Sequence, residues 1–179
     1  MQAYIKKHGP NFPNHRIKVD WTQNDRRLNI QFEVQKRVGK DFLSNEAFTN
    51  DWSKNWGLWN HDVVEAFLQL RGHKDDIHAP YLEIQVSPLN QPFALIITEP
   101  RKKFFAPPKL EFQTESLVDG KIWSSRMEVV LPEEIKGTKL YGGFFACLEQ
   151  NPREFYALEL NPEDTPDFHR PELFQPLSE

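Results

Sequence analysis

Aromatic rings and carboxylates alternate with aliphatic residues in the segment GLWNHDVVEAFLQL, residues 57–70. Trp59 could stack on the apolar C–H face of a sugar ring, while the Glu65 carboxylate accepts hydrogen bonds from the sugar hydroxyls. Successive side chains of a strand point to opposite faces of its sheet. The even-numbered residues after Asp62 are all apolar, which predicts that they face the core and that Glu65 lies on the opposite surface.

A second segment, YLEIQVSP at residues 81–88, shows the same alternation, with Tyr81 and Glu83 on its non-core side. If residues 62–70 and 81–87 pair as a hairpin, the non-core side chains of both strands lie on one surface. That surface combines rings with acids, which suits a sugar ligand. The candidate ligand-binding residues on it are Trp59, His61, Glu65, Tyr81 and Glu83.

The Glu65 carboxylate also has a purely structural interpretation. Arg126, on a later predicted strand, could form an ion pair with it, and spacing alone favours this interpretation. In a binding site Arg126 would instead donate hydrogen bonds to the ligand, and Trp123 of the same strand would line the site. Asp62 and Glu65 have opposite parity, so they cannot flank one glycosidic bond. Glu65 and Glu83 could do so if the hairpin register allows, which leaves a hydrolase as a rival.

The elements that must position these residues are mainly strands. Alternating apolar and polar residues predict half-buried strands, separated by turn-forming segments. Helical signals are confined to short turns at 40–52 and at 131–137, where Gly137 closes the turn, and RKKFFAPP at 101–108 is predicted to be a loop. The pattern predicts an all-β fold: one antiparallel β-sandwich domain over residues 1–179, jelly-roll-like or immunoglobulin-like, with short helical turns in its loops. The predicted strands cover residues 15–21, 28–35, 62–70, 81–88, 92–99, 123–132, 139–150 and 153–160.

The composition limits the function classes. The 179 residues suit one domain, and the net charge of −4 gives no general attraction to nucleic acids or acidic membranes. The single cysteine, Cys147, excludes an internal disulfide and a cysteine-based zinc site. The first twenty residues contain no apolar segment, and the longest aliphatic run is ALII. We therefore expect a cytoplasmic protein, or a secreted one if a signal peptide was trimmed.

Three polar loops are weaker candidates for function. RGHKDDIHAPY (71–81) contains two histidines and two aspartates, which could bind a metal, although a solvated hairpin loop is the favoured interpretation. In RKKFFAPPK (101–109) cations and phenylalanines could recognise a phosphate or single-stranded nucleic acid, but covering a sheet edge is favoured. DTPDFHRPELF (164–174) could reach a ligand through His169 or Arg170, but is favoured as a segment pinned to the sandwich by its phenylalanines.

The order of the motifs resembles the carbohydrate-binding module family 9-like domains, which are related to the DOMON β-sandwiches. The family pattern Trp-x-x-Asp-x-x-Glu-x-Phe matches residues 59–67, and Tyr-x-Glu-x-x-x-Ser-Pro matches 81–88. WSSRMEVVLP, GGFFAC and FHRPELF follow in the family's order, so that the resemblance extends from about Trp21 to Leu177. The resemblance implies an antiparallel sandwich that binds a sugar without catalysis, with Trp59 and Glu65 in contact with the ligand.

The sequence departs from the family pattern at three positions. Leu160 stands where a second tryptophan closes an aromatic clamp in the sugar binders, Glu83 where arginine can occur, and Cys147 where a polar residue is frequent. The candidate substitutes for the missing tryptophan are Tyr156, Phe155 and Trp123.

The resemblance also concerns cofactors and partners. Family sugar binders carry structural calcium, which makes calcium a candidate here on unassigned residues. Some DOMON relatives bind haem through Met and His, but Met127 has core parity and no histidine can be assigned opposite it. No nucleophile elbow, phosphate loop or zinc-protease motif occurs in the sequence. We expect a non-catalytic binder of a sugar or small glycan, with no nucleic-acid or membrane partner. The alternative is a structural or protein-interaction sandwich whose sugar site has degenerated.

Overall fold

The chain forms antiparallel strands joined by loops and short 3-10 turns. The computed structural model describes residues 1–9, 13, 15–36, 41–132, 138–148, 151–162 and 165–178. Within these ranges the strands are β1 Gln2–Lys7, β2 His15–Asn24, β3 Arg27–Lys36, β4 Val63–Arg71, β5 Tyr81–Val86, β6 Pro92–Glu99, β7 Lys103–Phe105, β8 Phe112–Asp119, β9 Ile122–Val130, β10 Lys139–Leu148, β11 Glu154–Ala157 and β12 Gln175–Pro176. The 3-10 turns span Trp52–Lys54, Leu58–Asn60 and Pro171–Leu173.

The strands form a β-sandwich that folds over at β1. Hydrogen bonds link them in the order β7-β6-β5-β4-β10-β11-β1-β2-β3-β9-β8, with β12 beside β10. The first part of β1 pairs with β2, and its last two residues pair with β11. The strands on the two sides of β1 pack face to face, because the ring centroid of Phe144 in β10 lies 5.0 Å from that of Trp21 and 5.9 Å from that of Phe32.

The two sides of the sandwich differ in what covers their outer faces. In the side formed by β2, β3, β9 and β8, here the exposed half, burial alternates strictly along β3, so the outer face meets solvent. In the side formed by β4–β7, β10 and β11, here the covered half, seven consecutive residues from Val63 to Gln69 are buried. A second apolar cluster on the outer face explains this burial. It comprises Leu58, Val63, Phe67, Tyr81, Phe93, Leu95, Ile97, Phe145, Cys147, Ala157 and Phe174.

The structure confirms the predicted all-β sandwich and the antiparallel pairing of β4 with β5. The strands predicted at 15–21 and 28–35 are observed as β2 and β3, which pair with each other, and the described parts of those predicted at 139–150 and 153–160 contain β10 and β11, which also pair. The loop prediction for 101–108 is wrong at residues 103–105, which form the edge strand β7 against β6 after a turn at which Arg101 has φ 63°. Most of the turn predicted at 131–137 lies outside the described residues. The predicted helical signal at 40–52 corresponds to a turn at residues 46–47 and the start of a 3-10 turn at Trp52.

Among the described residues, no helix is long and apolar enough to cross a membrane.

Candidate functional site

A pocket of about 340 Å³ opens on the outer face of the covered half. The β4–β5 register builds its base, because Glu65 lies opposite Gln85 and Glu83 lies opposite Phe67. The two glutamates are therefore diagonal neighbours on one face of the sheet. Cys147 of β10 lies beside them, with 3.8 Å between its Sγ and Glu65 Oε1. We call Glu65, Glu83, Gln85 and Cys147 the pocket floor.

The polar groups of the floor are buried, and not all of their hydrogen-bonding atoms have a partner among the described residues. Glu65 is 3% exposed, Glu83 5% and Gln85 1%. Gln85 Nε2 donates to Glu83 Oε1 over 2.6 Å, whereas the buried Gln85 Oε1 accepts no hydrogen bond from the described residues. No lysine, arginine or histidine of the described ranges forms an ion pair with either glutamate. Buried acceptors left in this state are costly, and a hydrogen-bonding ligand would offset that cost.

Burial also sets the protonation of the floor. It raises the pKa of Glu65 well above its ordinary value, and the charge of Glu83 adds to the rise, while nearby Arg153 opposes it. Burial raises the pKa of Glu83 to about 7, although the hydrogen bond from Gln85 acts in the other direction. Burial, followed by the charge of Glu65, raises the pKa of the Cys147 thiol. A thiol held protonated in this way is a poor nucleophile.

Aromatic rings surround the opening of the pocket. Trp56 is 56% exposed, and its ring lies 4.9 Å from that of the half-buried Trp59 and 5.3 Å from that of Phe104. The Trp59 ring in turn packs 5.6 Å from Phe93. We call Trp56, Trp59 and Phe104 the aromatic mouth. It offers flat apolar surface above a floor of hydrogen-bonding groups, an arrangement suited to a molecule with one apolar face and several polar substituents.

Buried polar side chains hold the segment that carries the two tryptophans. Asn55 is fully buried, and its Nδ2 donates to the carbonyls of Thr49 and Pro92. Gly57 has φ 88°, a conformation that favours glycine, and it starts the 3-10 turn containing Trp59. Asp62 accepts a hydrogen bond from Leu43 N over 2.8 Å. These bonds fix the loop before β4 against the sheet and so position the aromatic mouth.

Arg153, between β10 and β11, holds the same turn from the other side. Its Nη2 donates to the carbonyl oxygens of Trp59 and His61, the latter over 2.7 Å. Its Nη1 lies 3.4 Å from the carbonyl oxygen of Asn60. The guanidinium therefore caps a turn and also places a positive charge near Glu65.

The C-terminal segment forms the third side of the pocket. Asp167 accepts hydrogen bonds from its own segment, at His169 N over 2.9 Å, and forms an ion pair with Arg101 over 2.7 Å. His169 Nδ1 lies 2.7 Å from the hydroxyl of Tyr81. Burial lowers the pKa of His169, which favours its neutral form at neutral pH. The predicted pinning role of this segment is visible in Phe168, whose ring stacks 4.5 Å from Phe145.

The structure brings Trp59, Glu65 and Glu83 together in the pocket. Tyr81 lies next to this group and supports His169, which does line the pocket. The remaining predicted site residues, His61, Trp123 and Arg126, lie elsewhere.

Trp123 and Arg126 belong to the exposed half, so their assignment to the site is wrong. Trp123 pairs with Val34 inside the core and is fully buried, with Nε1 donating to Ser116 Oγ over 3.1 Å. Arg126 lies on the outer face, where its Nη2 donates to Asn29 Oδ1 over 3.0 Å. The ion pair proposed between Arg126 and Glu65 is also wrong, since the two residues lie in different halves.

His61 is wrongly assigned for a local reason. It follows the 3-10 turn and precedes β4, which begins at Val63, so strand parity does not apply to it. Its ring packs edge-on against Phe48, 5.3 Å between centroids, and burial lowers its pKa. Trp59 reaches the pocket through the turn rather than through strand alternation.

The candidate substitutes for the second tryptophan lie in different parts of the structure. Phe155 lines the pocket, whereas Tyr156 is buried on the opposite side, where its hydroxyl donates to Glu154. Leu160 packs against the outer apolar cluster. Trp56 was missed by the sequence analysis, because it lies in the turn before the 3-10 turn Leu58–Asn60, which contains Trp59. Arg153 was also missed, and no sequence signal indicates it, because its partners are backbone carbonyls distant along the chain.

The other polar clusters form local contacts. In the 71–81 loop, His73 N donates to Asp76 Oδ2 over 2.8 Å, and the His73 ring lies 3.2 Å from Asp75 in an exposed pair. Among the described residues, no group of three or more His, Cys, Asp or Glu side chains is placed to bind a metal ion.

Comparison with known proteins gives one distant relative and no family. No family model matches the chain. The chain is 28% identical over 127 residues to the UPF0462 protein C4orf33 homolog of Mus musculus, an alignment that covers 68% of this chain and 62% of the mouse protein. The chain thus spans less than two thirds of the length of that relative. The resemblance to carbohydrate-binding modules therefore stays a prediction from the motifs.

Proposed function

We propose that the protein binds a sugar or small glycan in this pocket, without catalysing a reaction. The observation that carries the proposal is the pairing of an aromatic mouth with a floor of two buried carboxyls. Sugar rings present apolar C–H faces to indoles and hydroxyls to carboxyl groups. The pocket volume of about 340 Å³ lies near the lower end of small-molecule sites, about 300–1,000 Å³, which suits one or two sugar units.

The non-catalytic part of the proposal rests on the placement of the acids. Glu65 and Glu83 are neighbours on one sheet face at the base of the pocket, so a ligand rests on both of them. Hydrolysis of a glycosidic bond instead requires carboxyls that flank the bond. Both acids have raised pKa values from burial, so neither is a fully ionised nucleophile at neutral pH.

A protein-interaction role is the second candidate, because aromatic residues beside the pocket are unusually exposed. Trp56 is 56% exposed, Phe104 44% and Phe105 48%. Contiguous exposed apolar surface is a common mark of an interaction site. The edge strand β7, which carries both phenylalanines, would then form part of the contact.

Calorimetric titration with a panel of mono- and disaccharides tests the proposal. We expect saturable binding by the wild type, a loss of at least tenfold in affinity for Trp59→Ala, and unchanged affinity for Arg126→Ala, the matched control in the exposed half. Tryptophan fluorescence of the wild type should change in parallel. Absence of binding to every sugar in the panel would overturn the proposal in favour of the interaction role. Release of reducing sugar that stops in Glu65→Gln would instead establish the hydrolase.

A further inference from the structure

The hydrogen-bonding capacity of the pocket floor is unbalanced toward acceptors. Gln85 Nε2 uses one of its two N–H groups to donate to Glu83 Oε1, and the Gln85 Oε1 atom accepts no hydrogen bond from the described residues. The Cys147 thiol is a weak donor, and its Sγ lies 3.8 Å from Glu65 Oε1. The carboxyl groups of Glu65 and Glu83, once ionised, can only accept. A ligand group that donates several hydrogen bonds and accepts none fits this floor better than a hydroxyl, which does both.

The charge of the floor points to the same kind of group. Two carboxyls are buried next to each other, and no cationic side chain among the described residues forms an ion pair with them. Arg153 places a positive charge near the floor: its charge opposes the rise in the pKa of Glu65, and its guanidinium hydrogen-bonds with the Cys147 side chain as well as donating to the carbonyls of Trp59 and His61. One guanidinium shared with backbone carbonyls faces two buried carboxyls, so a second positive charge brought by the ligand would offset the remaining cost of burying them.

The aromatic mouth also favours a cation. Indole faces attract ammonium groups within about 6 Å of the ring centroid, and two tryptophans stand at the opening. Arg101, which lines the pocket, is paired with Asp167 over 2.7 Å, so the rim adds little net repulsion.

We propose that the pocket selects sugars that carry a free, protonated amino group, and that this ammonium binds between Glu65 and Glu83. The inference rests on the proposed sugar-binding function and names the ligand class within it. An ammonium supplies three donors and no acceptor, and its charge balances one ionised carboxyl while the second stays protonated. The sugar ring above it packs against the aromatic mouth.

The affinity for an amino sugar then depends on pH in a defined direction. A bound cation favours the ionised acids, so affinity rises as pH increases toward the pKa of Glu83, about 7, and falls again at higher pH where the amino group of the ligand loses its proton. Among the described residues, the titratable and charged groups that face the floor are Tyr81 on β5, Cys147 on β10, Arg153 beyond it, and Arg101, Asp167 and His169 at the rim. Burial lowers the pKa of His169 and raises that of Cys147, so both stay neutral over this range. The affinity for a neutral sugar does not show this rise with pH.

Matched ligands that differ in one substituent provide the test. Calorimetry at pH 7.5 would compare glucosamine, glucose and N-acetylglucosamine, and the same series in the galacto configuration. We expect at least tenfold tighter binding of the amine than of its two neutral counterparts. In the double variant Glu65→Gln, Glu83→Gln, which keeps the side-chain shapes and leaves neither group able to ionise, the preference should fall below twofold. Glu33→Gln, on the outer face of the exposed half, is the control and should keep the full preference.

Two further outcomes separate this inference from the proposed function. Equal binding of amino and neutral sugars would overturn the amine selectivity and leave sugar binding in place. Cyclohexylamine and cyclohexanol probe the amine site without a sugar. If cyclohexylamine binds and none of the sugars does, the ammonium site is supported but the sugar proposal is overturned. Failure of all these probes would overturn both.

Discussion

The two halves of the sandwich differ in what covers the outer residues of their strands. In the exposed half, the outer residues of β3 alternate with buried ones and meet water, as Gln31 and Glu33 do. In the covered half, the equivalent outer positions hold Glu65, Phe67, Glu83 and Gln85, and all are buried. A polar residue on the outer face is thus ordinary in one half and costly in the other. The costly positions coincide with the pocket, as expected where function competes with stability.

The cover itself explains this difference. Leu58 from the loop before β4 and Phe174 from the C-terminal segment both join the outer apolar cluster. Arg71 helps hold the C-terminal segment, with its guanidinium donating to the carbonyl of Pro171. The cover removes water from the outer face but leaves room above Glu65 and Glu83. The covered half therefore contains a second core with a cavity in it.

The largest predicted effect separates the two outer faces by stability. Phe67 is 1% exposed, and its ring lies 4.8 Å from Phe145 and 5.7 Å from Tyr81. We expect Phe67→Ala to lower the free energy of unfolding by about 3–5 kcal/mol, the usual cost of removing a buried phenylalanine ring. Leu117, 68% exposed on β8, is the matched apolar residue of the exposed half, and Leu117→Ala should change stability by less than about 0.5 kcal/mol. Urea denaturation measures both, and similar values for the two variants would contradict the comparison.

Strand parity explains both the successes and the errors of the sequence analysis. Alternation located β2–β6 and the face that carries Glu65 and Glu83, because these strands are long and one face is wholly apolar. It missed β1, where Ile5 is the buried residue of the strand, and β8, whose residues are all at least partly exposed. Parity also indicates a face within a strand but not the half of the sandwich to which the strand belongs.

That limitation caused the error at Arg126, whereas Trp123 has the same core parity as Met127 and was assigned to the site against it. Both were assigned to the site from their residue types, yet β9 pairs with β3 and β8 in the exposed half. The aromatic mouth was only partly predictable for a different reason. Trp56 and Trp59 reach the pocket through a loop and a 3-10 turn fixed by Asn55 and Arg153. Such long-range hydrogen bonds to backbone carbonyls have no periodic signature in the sequence.

The buried carboxyl of Glu83 makes the stability of the covered half depend on pH. Burial raises the pKa of Glu83 to about 7, so the folded protein binds a proton there that the unfolded chain releases above about 4.5. The contribution of Glu83 is therefore fully present below about pH 4.5 and declines as pH rises toward 7. Relative to Glu83→Gln, the wild type should lose on the order of 3 kcal/mol across this range. Denaturation at pH 4.5, 6 and 7.5 measures the difference.

The control for this pH dependence lies in the exposed half. Glu33→Gln, at a solvent-facing position of β3, should follow the wild-type profile at every pH. If Glu83→Gln also runs parallel to the wild type, the floor is more hydrated than its burial indicates, and the contrast between the two outer faces weakens.

The smallest predicted effect compares two arginines, one in each half. Arg153 donates to the carbonyls of Trp59 and His61, and its loss leaves these oxygens without their charged donor. We expect Arg153→Ala to destabilise by about 1–3 kcal/mol and to shift the tryptophan emission, because the turn that carries Trp59 loosens. Arg126 bonds to Asn29 in solvent, so Arg126→Ala should cost less than about 0.5 kcal/mol with unchanged emission. A spectral shift confined to Arg153→Ala would show that the pocket is held by its cover. A shift in neither variant would mean that Asn55 and Asp62 alone position the aromatic mouth, since they hold the same loop through Pro92 and Leu43.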